Sequence, residues 1–515
     1  MAAVSMAAVL AGACTTLGPD YQEPEVAWLQ HWQSDLYGQA GAGAGVGGQQ
    51  AQADLAFWWR AFNDPVLDGL VDTARRQNPS LRIAGLRILE SRAVLGIAGA
   101  SQYPQVQQAS AGATYVDTRE RGGRGGDTHQ DFVSYGAGFD LAWELDFWGR
   151  FQRGIESAEA GFFASIANQQ DAQVLLAAQV ADLYYLYRTT LLRIDIATRN
   201  AAIQKRSYEI TERLFDSGEE SELDLQSAKA QYLGTVALIP ELEANLAKVR
   251  NALAVLLGRM PGDMPELAAA GGPLPTLDPA VIDGVSAQLL LRRRDLRVAA
   301  WQVAAQSAQI GVAQADYYPA ITLLGSIGWS TTSVNGAPRA TSIGVGPALT
   351  WNLFDYGRIR NNVRLQDARL QQSIEAFQNT ALLAAREIDD AAVTVVKTGE
   401  QKAPLAGAAR AAERSLELAN TLYQEGYADF SRVLDAQRAL FTQTDRELVN
   451  QSAHISAVIT LYKALGGGWT DMPVEAIVPE ATREQMRART NWGDLLTEPL
   501  PANTDGPTVH KGTPP

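Results

Sequence analysis

The chain has 515 residues, with 43 Lys+Arg against 57 Asp+Glu and a net charge of −14, which argues against a nucleic-acid binder with a basic face. One Cys excludes an internal disulfide or a Cys-rich metal centre, and the four His (His31, His129, His454, His510) miss metal-ligand spacings. Charged residues are 19% of the chain, under the roughly 25% usual for soluble domains, so Gln, Ser, Thr and Asn must solvate much of the surface.

Residues 1–13 are uncharged and mostly small or apolar. They are too few for a membrane-spanning helix of about 20 residues but suit an export signal. Leu10-Ala11-Gly12-Ala13-Cys14 resembles the lipobox of bacterial lipoproteins, which implies residues 1–14 as signal and lipobox and an acylated Cys14 that anchors the protein to a bilayer. Thr15 after the Cys favours the outer membrane by the same resemblance. The large apolar residue stands one position further from the Cys than in the commonest lipobox, and no Lys or Arg precedes the run. A start upstream of Met1 is therefore expected; a free Cys in an ordinary tail is the competing reading. Residues 15–60 read as an extended linker, with a flexible Gly/Ala/Gln-rich insertion at 38–53.

Two copies of one plan follow, at 61–272 and 273–470. Leu81-Arg82 corresponds to Leu296-Arg297 and Tyr103-Pro104 to Tyr318-Pro319 at an offset of 215. Trp143 corresponds to Trp351, Gly149-Arg150 to Gly357-Arg358, and Gly218 to Gly426 at an offset of 208. The difference of seven is expected in the polar loop 118–130, against 330–341 in the second copy. Each copy reads helix, hairpin, helix, turn, helix.

Over 134–146, Tyr135, Ala137, Phe139, Leu141, Trp143 and Leu145 alternate with small and polar residues. Period two predicts a strand between oil and water. The second copy repeats it with Ile343, Val345, Leu349, Trp351 and Leu353, and its partner strand with Ile321, Leu323, Ile327 and Trp329. Long strands ending in aromatic residues, here Trp143, Trp148, Trp351 and Tyr356, match membrane β-barrels and their aromatic girdles, although a soluble sandwich alternates in the same way. Four strands cannot close a barrel, since the smallest outer-membrane barrels have about 8. Either several chains pool their strands or there is no barrel.

Residues 149–217 contain no proline, and 357–425 are interrupted only by Pro404. Each stretch would make a helix of ~100 Å, too long for a compact domain, so an elongated bundle or coiled coil is expected. Leu434, Phe441, Leu448, Ile455 and Tyr462 recur every seven residues, as do Leu225, Tyr232, Ile239, Leu246 and Leu253, with Leu242, Val249 and Leu256 in a second row. Pro240 and Pro404 mark kinks, and Gly218 and Gly426 mark turns. The remaining helix surface is rich in Ala, Gln, Ser and Asn, as in a channel wall or an ordinary wet face. His454 reads as a packing or pore-facing residue, and 471–515 as an irregular tail.

Taken together, the chain resembles the outer-membrane efflux channel family typified by TolC and OprM, in its lipoprotein (NodT) branch found with resistance-nodulation-division pumps. The resemblance spans about residues 14–470. It is carried by CTTLGPDYQEP from Cys14, Phe57-Trp58-Trp59, Asn63-Asp64-Pro65, WELDFWGR from Trp143, LDAQR from Leu434 and LYKALGGGW from Leu461. It implies an α+β membrane protein: a homotrimer whose chains give four strands each to one twelve-stranded outer-membrane barrel, continued by a long periplasmic α-helical barrel. It also implies a passive duct working with a periplasmic adaptor and an inner-membrane pump, with no cofactor beyond the lipid on Cys14 and no metal. Asp435 matches the family's constricting acid, with Arg438 beside it, as an iris at the periplasmic end. Ser431 stands where relatives often carry a bulky apolar residue. Arg432, where TolC has a second acid, has Asp429 or Asp435 as a possible partner. A coiled-coil adaptor or envelope structural protein is the alternative, and no Ser/His/Asp arrangement, P-loop or dinucleotide fingerprint supports an enzyme. Metabolic labelling with a radioactive fatty acid should mark the protein, and Cys14→Ala should abolish the label.

Overall fold

The computed structural model describes residues 16–27, 55–120, 128–276, 292–335 and 338–501; Cys14 and the 38–53 insertion lie outside them. A 3-10 turn (Trp58–Phe62) leads to α1 (Pro65–Gln77), α2 (Pro79–Ala100), β1 (Val106–Glu120), β2 (Thr128–Leu145), α3 (Arg150–Asp216) and α4 (Glu222–Leu256). The second copy supplies α5 (Arg294–Ala315), β3 (Ala320–Thr332), β4 (Ala340–Thr350), α6 (Arg358–Gln424) and α7 (Phe430–Ala464), before α8 (Val474–Ile477) and α9 (Glu480–Arg489). The offset of 215 carries both ends of α2 onto those of α5, and 208 does the same for α3 onto α6 and α4 onto α7.

The helical hairpins turn identically. Gly218 and Gly426 both have φ +78°, a conformation that a Cβ disfavours. Behind them, Glu219 N–H reaches Leu214 C=O and Tyr427 N–H reaches Leu422 C=O, both at 2.8 Å, in a Schellman stop. Pro240 and Pro404 lie within α4 and α6, which continue past them. In α4 the fully buried row is the second heptad row, Ala228, Thr235, Leu242 and Val249, whereas Leu225, Tyr232, Ile239 and Leu246 are half-buried. In α7, Leu434, Leu448 and Ile455 are buried as the repeat predicts.

The strands form one antiparallel sheet in the order β1-β2-β3-β4. Ala111 faces Ala137 across β1–β2 as Gly325 faces Val345 across β3–β4, so β1 and β3 are related by 214 rather than 215. Six of the seven extra residues therefore fall in the hairpin tip as expected. The seventh is Gln105, just before β1. Its side-chain amide occupies both backbone groups of Glu144, at 2.7 and 3.3 Å, in place of a strand partner.

Three of the motifs that carry the resemblance are structural. Trp58 stacks on Tyr462 with centroids 5.2 Å apart, and Gly467 and Gly468 let the backbone after α7 approach that indole, which an added Cβ would meet at 3.2 and 3.0 Å. Asp64 caps α1 by accepting the Val66 and Leu67 N–H groups at 3.1 and 3.3 Å. Its other oxygen accepts the Tyr184 hydroxyl at 2.9 Å and Arg188 at 2.8 Å. Arg188 continues to the carbonyls of Gly271, Gly272 and Pro273.

Two regions expected to be loose are built in. Residues 16–20 run as a strap over α3 and α5: buried Arg153 donates to Leu17 O at 2.8 Å, Gly18 O at 3.2 Å and the Asp20 carboxylate at 2.8 Å. Gly311 makes room, since a Cβ there would lie 2.4 Å from Leu17 O. The tail from 471 to 501 is ordered, because Val474, Ile477, Val478, Met486 and Leu496 pack against Ile88, Leu89, Phe162 and Ile166. Arg92 holds it by the carbonyls of Glu498 and Pro499, at 2.8 and 2.9 Å. The helices there are short, four and ten residues, so no long apolar period announces them.

Arg188→Met keeps most of the volume but leaves the Asp64 carboxylate buried without its cation. A loss of ~3 kcal/mol is expected, seen as a lowered thermal midpoint in detergent.

Candidate functional site

Register places odd-numbered residues on one face of the whole sheet, as Ala137 faces Trp329 and Ile327 faces Ile343. That face carries Tyr115, Tyr135, Phe139, Leu141, Trp143, Leu323, Ile327, Trp329, Ile343, Val345 and Leu349. Most are exposed, and among the described residues no helix packs over them. The even face is Ser110, Gly112, Thr114, Ser134, Gly136, Gly138, Ser326, Gly328, Ser342 and Gly344, broken by Val116, Phe132 and Leu324. The strands have 15, 18, 13 and 11 residues, at least the roughly 9–11 that a tilted membrane strand needs. Among the described residues, no helix is long and apolar enough to cross a membrane.

The aromatic candidates lie where the sheet joins the helices. Trp143 donates to Gln102 O and Trp351 to Tyr317 O, both at 3.0 Å, and Gln102 and Tyr317 are themselves repeat counterparts. One indole per copy thus ties each hairpin base to the end of the helix before it. Trp148 turns toward its own chain, stacked on Tyr318 at 4.6 Å and donating to Pro319 O at 2.8 Å. Its counterpart Tyr356 is fully exposed, with φ +52°.

At the far end, Ser431, Arg432, Asp435 and Arg438 share the exposed side of the first turns of α7, opposite buried Phe430, Val433, Leu434 and Gln437. Arg438 bonds Asp435 at 3.2 Å and reaches Gln231 of α4 at 3.4 Å. Among the described residues Arg432 pairs with neither Asp429 nor Asp435. The counterparts in α4 are Leu223, Asp224, Ser227 and Ala230, so the Asp435–Arg438 pair belongs to one copy alone. Polar contacts missed by heptad reasoning tie α7 to α3: Arg193 to Asp445 at 2.7 and 3.2 Å, Gln437 to Ser207 at 2.8 Å, and Ser456 to Asp182.

Part of the predicted wet helix face is inside. Gln169, Gln170, Gln173 and Gln204 of α3 are buried, and Gln173 joins Arg75 at 2.6 Å to Thr470 O at 3.0 Å. His454 packs between α6 and α7 against the Thr398 hydroxyl at 2.8 Å, and burial lowers its pKa, so it is a neutral packing residue. Nearby, Glu387 of α6 bonds Lys463 of α7 at 2.6 Å and Arg293 at 2.9 Å, and Arg293 also bonds Asp295 at 2.9 Å. Asp171 of α3 joins this cluster, and its pKa is pushed up to about 6, by burial first and then by Asp295.

A family model described as outer membrane efflux protein matches residues 70–259 and 285–467. The probable outer membrane lipoprotein SilC of Salmonella typhimurium is 30% identical over 91% of this chain and 98% of its own. The solved outer-membrane channel OprN has a TM-score of 0.75 at 31% identity, covering 88% of this chain and 99% of its own. The open state of the Neisseria gonorrhoeae MtrE outer membrane channel has a TM-score of 0.72 at 26% identity, covering 88% and 98%.

Because Asp171 binds its proton more tightly when folded, its contribution to stability is greatest below about pH 4 and is lost as pH rises through about 6. Asp171→Asn should therefore raise the thermal midpoint at about pH 7.5 and change it little at about pH 4. Melts in detergent across that range check this; an equal gain at both ends would count against the assignment.

Proposed function

The chain belongs to the outer membrane efflux protein family and is an outer-membrane efflux channel extending into the periplasm, and from that premise we propose how it forms a gated duct. Three copies pool their sheets into one twelve-stranded barrel, and their long helices continue it as a periplasmic tube. The observation that carries this is a sheet with an uncovered apolar face, a face of small polar residues behind it, and two unpaired edges. Hydrocarbon tolerates no such edges, so closure requires further copies. The apolar face then meets lipid, with Trp351 and Tyr356 at its lower rim, and the even face lines the bore.

No bond is made or broken in this role. An inner-membrane resistance-nodulation-division pump supplies the energy and a periplasmic adaptor joins it to the tube, making a tripartite system. A lipid on Cys14 adds a second hold on the membrane. Leakage is controlled at the periplasmic end, where three Asp435–Arg438 pairs, flanked by Ser431 and Arg432, form a charged ring that must come apart as the α7 helices swing outward. Within one chain the pair is a solvent-exposed contact between residues three apart. Its force in this reading comes from the ring.

Asp435→Ala is expected to raise the resting conductance of the channel in planar bilayers and to sensitise cells to large antibiotics. Unchanged conductance and sensitivity would remove Asp435 from the gate.

A further inference from the structure

The base of the second hairpin differs in charge from that of the first. Over 144–156 three acids, Glu144, Asp146 and Glu156, stand against two arginines. Both arginines are paired, Arg150 with Glu144 and Asp316 at 3.7 Å and Arg153 with Asp20 and Glu156. Over 352–364, at the offset of 208, one acid stands against Arg358, Arg360 and Arg364. That acid, Asp355, accepts the N–H groups of Gly357 and Ile359, at 3.1 and 2.6 Å, one on each oxygen. Arg360 is exposed, and among the described residues its side chain enters no ion pair or hydrogen bond.

Beside Arg360 the second copy opens a cavity that the first copy fills. In the first, Gln102 bonds Gln152 at 3.1 Å, and the inserted Gln105 covers the backbone of Glu144. The counterparts are Tyr317, Arg360 and Asn352, with no residue in the place of Gln105. A cavity of about 440 Å³ results, with Tyr317, Trp351, Asn352, Leu353, Tyr356 and Arg360 in its walls. Leu353 and its neighbour Phe354 are 64% and 90% exposed, and the first copy has Asp146 in place of Phe354.

We propose that this cavity seats a phospholipid of the inner leaflet, with its phosphate on Arg360 and the glycerol end of its acyl chains over Trp351 and Leu353. This rests on the barrel proposed above, in which Trp351 marks the periplasmic rim of the lipid-facing side. That rim is the depth of the phosphate groups, where indole and phenol rings gather and an arginine keeps its charge at headgroup level. A guanidinium meets two phosphate oxygens with its fork of donors, and here no described carboxylate occupies that fork. Trp351 and Leu353 continue in sequence the odd-numbered apolar row of β4, so acyl chains pass from the cavity onto the sheet over apolar surface.

The walls that matter belong to one copy. Trp148 and Arg150 reach from the first copy to Tyr318 and Asp316 of the second, so their counterparts Tyr356 and Arg358 are the residues turned toward a neighbouring subunit. Trp143 and Gln152 instead bond Gln102 within their own copy. Trp351 does the same with Tyr317, which leaves Arg360 and its cavity open to lipid after the copies assemble.

The test uses the full-length protein, purified as an oligomer in detergent, stripped of lipid and titrated with phosphatidylglycerol under native mass spectrometry. One lipid per subunit should be retained, and Arg360→Gln, which matches the first copy, should lower retention several-fold. Arg410→Gln, further along α6, removes the same charge and should leave retention unchanged. Equal retention in the parent and Arg360→Gln overturns the site and leaves the barrel standing, whereas a water-soluble monomer overturns the barrel reading itself. Excess inorganic phosphate should not displace the lipid; displacement marks a free-anion site and overturns the lipid assignment. If Arg360→Gln fails to assemble, the parent answers alone. A phosphatidylglycerol with a photoreactive diazirine beside its glycerol should label 351–360 and spare 143–152, and labelling of both or of neither overturns the site.

Discussion

A strand in hydrocarbon has nowhere to send an unpaired N–H or C=O. Four strands joined in a meander pair three ladders and leave two edges, and the rest of the molecule follows from what those edges require. The faces of the sheet are already committed, bulky residues on the odd side and Gly, Ser and Thr on the even side, so in the barrel proposed above the edges are satisfied by a wall shared with other chains. Trp143 and Trp351 each bond the helix end that enters their hairpin, and Gly149 and Gly357, both with positive φ, turn the chain from each second strand into a helix of 67 residues.

Duplication gives the chain two near-equivalent helical hairpins, and divergence between the copies sets them apart. Arg293, Asp295, Glu387 and Lys463 tie the start of α5 and the end of α7 to the middle of α6. Their first-copy counterparts are Asn78, Ser80, Gln179 and Val255, which form no such cluster of charge. The exposed Asp435–Arg438 pair is likewise found in one copy only. Charge therefore marks the second helical hairpin near its root and at its tip, whereas the first carries its buried ion pair, Arg188 with Asp64, on α3. In the gated duct proposed above, the second hairpin, held by electrostatics at root and tip, is the one that swings.

Much of this could be read from residue order. Two offsets carry six helix boundaries onto their counterparts to the residue, because helices of a duplicated plan keep their length when their packing partners are duplicated too. Strand alternation was legible since one face meets an apolar medium. Other features were hidden for physical reasons. The Gln105 insertion is silent because a side-chain amide imitates the backbone it replaces. The ordered tail gave no long periodic signal because its helices have only four and ten residues. The strap could not be foreseen because its binding residue, Arg153, looks like any surface charge on a long helix until the carbonyls it grips are placed beside it. The buried glutamines of α3 passed for a wet face for the same reason.

Buried arginines hold three peripheral segments in one manner: Arg153 the strap, Arg92 the tail, and Arg188 the stretch after α4, each through main-chain carbonyls. A guanidinium that grips main-chain oxygens does not read the side chains of what it holds. Natural variation in these three segments is thus constrained less by the main-chain grip than by the side chains they add to it, Asp20 on Arg153 in the strap and the apolar tail residues packed on Ile88 and Phe162. Drift in sequence without drift in position is the expected evolutionary signature of such a joint, with the arginines as its fixed points.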